Sequence, residues 1–260
     1  MKRYMATIEY DGTRYNGWQI QKGLSKSIQA ELQDACKIAF GSEKTLVQGA
    51  GRTDKGVHAL GQVIHFDADT ELSTLNMMYR MNDNLPTDIS VVSVQECPPA
   101  FHARHDAVYR SYIYQISTRP NAFAKKLVYW VKDRLEVKLM QEAAERFKGL
   151  HDFKSFTDDE GEHTSTKVEI RNVSVSKHGS IILIHIIGSH FLWKQVRRMT
   201  GILLEAGRGK ITPSDIDGML HTMSDLPAQK TVPPSGLFLE RVYYRNETPD
   251  LDIKPVINLM

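Results

Sequence analysis

Residues 4–10, YMATIEY, set Tyr4, Ala6, Ile8 and Tyr10 against Met5, Thr7 and Glu9. That period of two is the pattern of a strand with two usable faces. DGTRYNGW then reads as turn and loop. From Ser27 to Phe40 the apolar positions Ile28, Leu32, Ala35 and Ala39 recur at helical spacing, with Ser27 suited to cap the start and Gly41 the end. TLVQGA predicts a short strand and LGQVIHFDA a longer one, separated by a glycine-rich bend. A second helix is expected from about Leu75 to Asn82, and a strand after the turn at Pro86. PPAFHARHDA is irregular, and VYRSYIYQIS predicts a long strand.

The outline then repeats. KLMQEAAERFKGL predicts a helix, HDFKSFTDDEGEHTS a loop, KVEIRNVSVS and SIILIHIIG two strands. LWKQVRRMTGILLEAG predicts a helix, Thr212-Pro213-Ser214-Asp215 opens a capped one, and GLFLERVYY is a last strand. Strands and helices mix without the regular alternation of a doubly wound parallel sheet. The expectation is an α+β fold of two similar lobes, each a mainly antiparallel sheet flanked by helices. The lobes are expected over 1–105 and 106–260, joined near His102 to Ala107.

Composition narrows the class rather than the function. The chain has 260 residues, 41% hydrophobic and 25% charged, ordinary for a globular protein. Two cysteines, Cys36 and Cys97, lie far apart without metal or disulfide spacing, which points to a reducing cytosol. No run of roughly 18 apolar residues suggests a membrane span, and MKRYMATIEYDG lacks the apolar stretch of a signal peptide. A soluble, cytoplasmic protein is expected. The net charge is +2 and the pI near 8.4, which permits a polyanionic partner without demanding one. Basic residues gather around Arg14, Lys22 and Lys26, at Lys125-Lys126, and from Lys194 to Lys210, while acid concentrates in TDDEGE from Thr157 to Glu162.

Three stretches carry candidate chemistry. In GAGRTDKGVHALGQV, Asp54 can be a turn residue bonding its own backbone, or a carboxylate displayed where Gly51 and Gly56 let a partner approach. An ionised aspartate can act there as nucleophile or base, with Arg52 on the same side if the segment is extended. In VYRSYIY, Arg110, Tyr112 and Tyr114 share one strand face: either a half-buried sheet face or an aromatic platform for an unpaired base. In SHFLWKQVRRMTGILLEAGRGK, Leu192, Val196, Met199 and Leu203 form an apolar stripe, beside which Arg197 is a surface cation or the partner of a buried anion. His102 and His105 lack supporting carboxylate or cysteine ligands, so no metal site is expected.

The chain resembles the TruA-type tRNA pseudouridine synthases over nearly its whole length. The likeness runs through YDGTRYNGWQIQ, GAGRTDKGVHALGQV, NLPTDISV, FHARHDAVYRSYIYQI, HDFKSF, FLWKQVRRMTGILLEAGRGK and PPSGLFL, in that order. The resemblance implies that Asp54, in R-T-D, is the catalytic aspartate, and that Arg52 helps displace the target base and holds its phosphate region. It implies that Tyr112 stacks on the uracil and that Arg197, in V-R-x-M, pairs with the catalytic carboxylate. It further implies a catalytic cleft between the lobes and isomerisation of uridines 38–40 in the tRNA anticodon stem-loop. A homodimer acting without metal, cofactor or second substrate is implied as well. A base must leave its stack to react, at a few kcal/mol, and the aspartate can attack the sugar, attack the base ring or remove a sugar proton.

Two features depart from the family pattern. The acidic loop Thr157 to Ile170 would repel RNA if it faced the substrate, and Lys55 follows the aspartate where relatives often carry alanine. Two rival functions compete. IEYDGTRY brushes against the D-x-D-G-T pattern of aspartate-nucleophile phosphatases, but Glu9 stands at the nucleophile position. The other rival is a non-catalytic RNA-binding paralogue, using the basic residues alone.

Overall fold

The computed structural model describes residues 1–21, 23, 26–41, 45–158 and 165–257. The chain forms two compact units: Met1–Val108 with Phe238–Glu247, and Tyr109–Leu237 with Thr248–Met260. In order, the elements are β1 (Lys2–Tyr10), α1 (Ile28–Phe40), β2 (Gln48–Gly49), β3 (His58–Ala68), α2 (Thr74–Asp83), β4 (Ile89–Glu96), β5 (Tyr109–Ser117) and β6 (Tyr129–Trp130). There follow α3 (Val137–Ala144), β7 (Gly149–Asp152), β8 (Lys167–His178), β9 (Ile181–Gly188), α4 (Gln195–Gly207), α5 (Pro213–His221), α6 (Leu226–Gln229) and β10 (Leu237–Tyr243). The class is α+β, as expected.

In the first unit β1 lies antiparallel between β4 and β3, and β10 runs parallel to β3 with Phe238 opposite His58. The alternation in β1 is real: Tyr4, Ala6, Ile8 and Tyr10 are buried. Helix α1 starts where Ser27 accepts from the Ala30 amide and ends at Gly41, whose φ of 65° is left-handed. Its buried stripe is Ile28, Leu32, Ala35, Cys36 and Ala39.

In the second unit the strand order is β5-β9-β8-β7, all antiparallel, with β6 parallel on β5. Tyr112 and Tyr114 stand in register with Ile186 and Ile184, and those with Val173 and Val175. Helix α3 packs against β8. Strand β5 is not half-buried as its alternation suggests, because residues 110–117 are all buried. The C-terminal segment closes the other face, where the Val256 amide donates to Gln115 Oε1 at 2.7 Å.

Boundaries differ in two places. The helix expected over 138–150 stops at Ala144, passes through a 3₁₀ turn at Glu145–Phe147, and gives way to β7, which spans the end of that helix and the start of the expected loop and pairs with β8. The helix expected from Leu192 starts three residues later, after a tight turn. Helix α5 has the full capping box between Thr212 and Asp215.

Candidate active site

In the first unit, Asp54 opens a turn in which the Val57 amide donates to the Asp54 carbonyl at 3.1 Å. Gly56 takes the left-handed position of this turn, with φ 79°. Residues 54–57 thus form the expected turn, and the Asp54 side chain stays partly exposed at its first position. Space beside Gly51 is open, since an added Cβ there would meet nothing within 4 Å. The chain's own close approaches to this loop are at Gly12 and Gly17.

Residues 10–18 form a strap laid on this loop, backbone against backbone. A Cβ on Gly12 would sit 1.9 Å from the Val57 carbonyl oxygen, and one on Gly17 2.7 Å from that of Thr53. The Trp18 amide donates to the Thr53 carbonyl at 3.0 Å, and the hydroxyls of Tyr10 and Thr53 share a hydrogen bond of 2.8 Å. The Gly12 amide donates to His58 Nδ1 at 3.1 Å. From below, Gln62 Nε2 donates to the Gly51 carbonyl at 2.7 Å. Arg52 is exposed, and its Nε donates at 3.0 Å to Oε1 of Gln19, the residue that follows the strap.

The strap has its own anchor. Asp88, from the NLPTDISV stretch, accepts from Arg14 at 2.6 Å and from the Tyr15 hydroxyl at 2.7 Å. Its carbonyl accepts the Asp11 amide at 2.9 Å. The Asp88 carboxyl loses solvation by partial burial, yet the Tyr15 and Arg14 hydrogen bonds bring it below the ordinary carboxylate range. The strap glycines and Asp88 were not singled out from sequence, although their three stretches could have been read together. Asp11 itself accepts from the Thr13 amide at 2.9 Å, so the D-G-T pattern serves a turn, not a phosphatase site.

In the second unit, Tyr112 is buried, with the Phe191 ring edge-on at 5.0 Å. Arg110, two residues earlier on the same face, is also buried and donates to the Ser189 carbonyl at 2.9 Å. Arg197 lies in the first turns of α4, partly exposed, and its Nε donates to the Val232 carbonyl at 2.9 Å. The stripe beside it, Leu192, Val196, Met199 and Leu203, is core as expected. Asp54 and Arg52 thus share one loop of the first unit, while Tyr112 and Arg197 belong to the second.

Sequence reasoning missed Arg198. It is 3% exposed and pairs with Asp158, which Lys194 also reaches at 3.1 Å. The start of the acidic stretch is therefore bound to the basic helix. Residues 159–164 lie outside the described residues, as does Lys22, while Lys167–Ile170, the end of the expected loop, are part of β8. His102 serves a turn, its Nδ1 accepting from the amides of Arg104 and His105 at 3.2 and 3.3 Å. Among the described residues no group of three His, Cys, Asp or Glu side chains could hold a metal, and no helix is long and apolar enough to cross a membrane.

A model of the family described as tRNA pseudouridine synthase matches residues 6–106 and 143–245. The chain is 40% identical over 247 residues to a protein named tRNA pseudouridine synthase A from Ruminiclostridium cellulolyticum, covering 94% of this chain and 100% of that one. It is 39% identical to the protein of that name from Pseudothermotoga lettingae, over 93% of this chain and 99% of that one. Identity to the Bacillus subtilis protein of the same name is 38%, over 94% of this chain and 100% of that one.

Proposed function

The chain belongs to the tRNA pseudouridine synthase family, and from that premise we propose which residues perform the reaction and on which part of the tRNA. The enzyme is an isomerase that converts tRNA uridine to pseudouridine. In that conversion the C1′–N1 bond breaks, the uracil turns, and C5 bonds to C1′; C5 loses a proton and N1 gains one. The atoms balance without a second substrate.

Asp54 is the catalytic carboxylate. The observation that carries this assignment is its place: a partly exposed aspartate on a turn clamped by the 10–18 strap, so that the carboxylate is held before substrate arrives. Tyr112 stacks on the everted uracil, and Arg52 holds the phosphate region and helps turn the base out. Arg197 takes the role of the arginine that the resemblance assigns to the catalytic carboxylate. In this reading the N-terminal lobe, 1–105, supplies Asp54 and Arg52, and the C-terminal lobe, 106–260, supplies Tyr112 and Arg197.

The resemblance supports uridines of the anticodon arm as targets, a homodimer as the working form, and the cytoplasm as its place. The decisive experiment is Asp54→Asn. Tritium release from tRNA carrying 5-tritiated uridine should vanish while tRNA binding persists; surviving turnover overturns the assignment. Mapping of pseudouridine in tRNA from cells lacking the protein tests the arm, since the missing sites should cluster in the anticodon stem-loop.

A further inference from the structure

The turn that joins β9 to α4 is built in an unusual way. Its outer residues, Leu192 and Gln195, are buried and bound to each other twice: the Gln195 amide donates to the Leu192 carbonyl at 3.1 Å, and the Leu192 amide to Gln195 Oε1 at 2.9 Å. Its two central residues are Trp193 and Lys194. Trp193 is 49% exposed. Lys194 has φ 62°, the left-handed region that glycine and asparagine fill without strain. Folding alone would favour a polar residue at 193 and glycine at 194. The chain instead holds a non-glycine residue in strained backbone, of the kind that persists at functional sites.

Charge accompanies the aromatic surface. The Lys194 ammonium lies 4.0 Å from the Trp193 ring centroid and 3.1 Å from the Asp158 carboxylate. A second pair stands at the same end of the sheet. Gly188, the last residue of β9, is in register with both Arg110 and Ile170. The neighbouring Tyr109 and Arg171 therefore flank this end, with the Arg171 guanidinium 5.1 Å from the Tyr109 ring. Phe191, which packs on Tyr112, precedes Trp193 by two residues.

We propose that Trp193, displayed with Lys194 on this clamped turn, is a stacking platform for an unpaired tRNA base next to the target uridine, with Lys194 bound to the adjoining phosphate. This rests on the assignment of Tyr112 to the target base, since it places a second base beside that one. A flat aromatic face with a cation above it suits any base, so the platform fixes the register of the strand rather than its sequence. It thereby selects which of several neighbouring uridines reaches Tyr112. The Asp158 carboxylate holds the ammonium until a phosphate takes its place.

The experiment measures tRNA binding and the pattern of modified positions for Trp193→Ala, Trp193→Phe and Lys194→Gly. Loss of one stacked base should weaken tRNA binding by Trp193→Ala about five- to 150-fold and blur the choice among adjacent uridines. Trp193→Phe should retain most of both. Lys194→Gly should leave the thermal midpoint equal or higher while tRNA binding falls, which a purely structural turn would not produce. Wild-type affinity and an unaltered modification pattern in Trp193→Ala overturn the proposal, as does a change in oligomeric state with tRNA affinity intact. Binding is read without turnover, so a failure of the Asp54 assignment would show separately, as pseudouridine made by Asp54→Asn.

Discussion

The loop that carries Asp54 and the strand that carries Tyr112 are held by opposite means. The loop is irregular, and its position comes from backbone lying on backbone at Gly12 and Gly17, closed by main-chain hydrogen bonds. The strand is regular, and Tyr112 is positioned by side chains: Phe191 at its edge, Ile186 beside it, and burial on both faces of β5. The first arrangement tolerates no added carbon where the chains meet. The second tolerates conservative change but not loss of volume. The proposed roles agree with this difference, since a catalytic carboxylate must be set to a fraction of an ångström, whereas a stacking ring needs a plane.

The largest effect that could break this comparison is Gly12→Ala. Its new Cβ meets a backbone carbonyl that no rotamer can move, so destabilisation of about 4 kcal/mol is expected. Activity should fall further than stability alone explains. Thermal unfolding together with turnover on the folded fraction checks this, and a wild-type midpoint would mean that the strap is not fixed. Next is Tyr112→Ala, which empties a buried site and should cost about 3 kcal/mol as well as most of the rate. Tyr112→Phe should keep the fold and much of the rate; equal tritium release from all three forms would remove Tyr112 from the site.

A smaller effect sharpens the contrast through pH. His185 is buried in the second sheet, and burial pushes it down to about 4 against the pull of Asp250. It is neutral when folded, but in the unfolded chain it binds a proton below about 6.5. Its contribution is therefore present above pH 6.5 and lost as pH falls toward 4. In His185→Leu the loss of stability between pH 7 and pH 4.5 should shrink by up to about 2 kcal/mol, read from urea midpoints. An unchanged acid slope would place the proton uptake elsewhere. The smallest effect is Gly51→Ala, which meets nothing within 4 Å and should shift stability by less than about 0.5 kcal/mol. A large loss there would extend the backbone clamp further along the loop than Gly12 and Gly17 imply.

Much of the fold was legible because its signals are local. The alternation of β1, the Ser27 and Gly41 caps of α1 and the Thr212–Asp215 capping box are each written within a few residues. The turn at Asp54 was equally visible, since Asp-Lys-Gly-Val carries its own turn chemistry. What covers an element was not. Strand β5 alternates like a half-exposed strand, yet the C-terminal segment arrives 141 residues later to place the Val256 amide on Gln115. The pairing of Arg198 with Asp158, across 40 residues, left no local trace either.

The sequence by itself determined most of the elements and their caps, though not β7, together with the turn that displays Asp54 and, through long ordered motifs, the family. Tertiary structure alone decided that Gly12 and Gly17 press on that turn, that Asp88 anchors the strap, and that Phe238–Glu247 joins the first unit beside β3. The reason is range. Caps and turns are set by bonds a chain makes with itself within four residues, while a close approach of backbones depends on two distant segments reaching the same ångström of space.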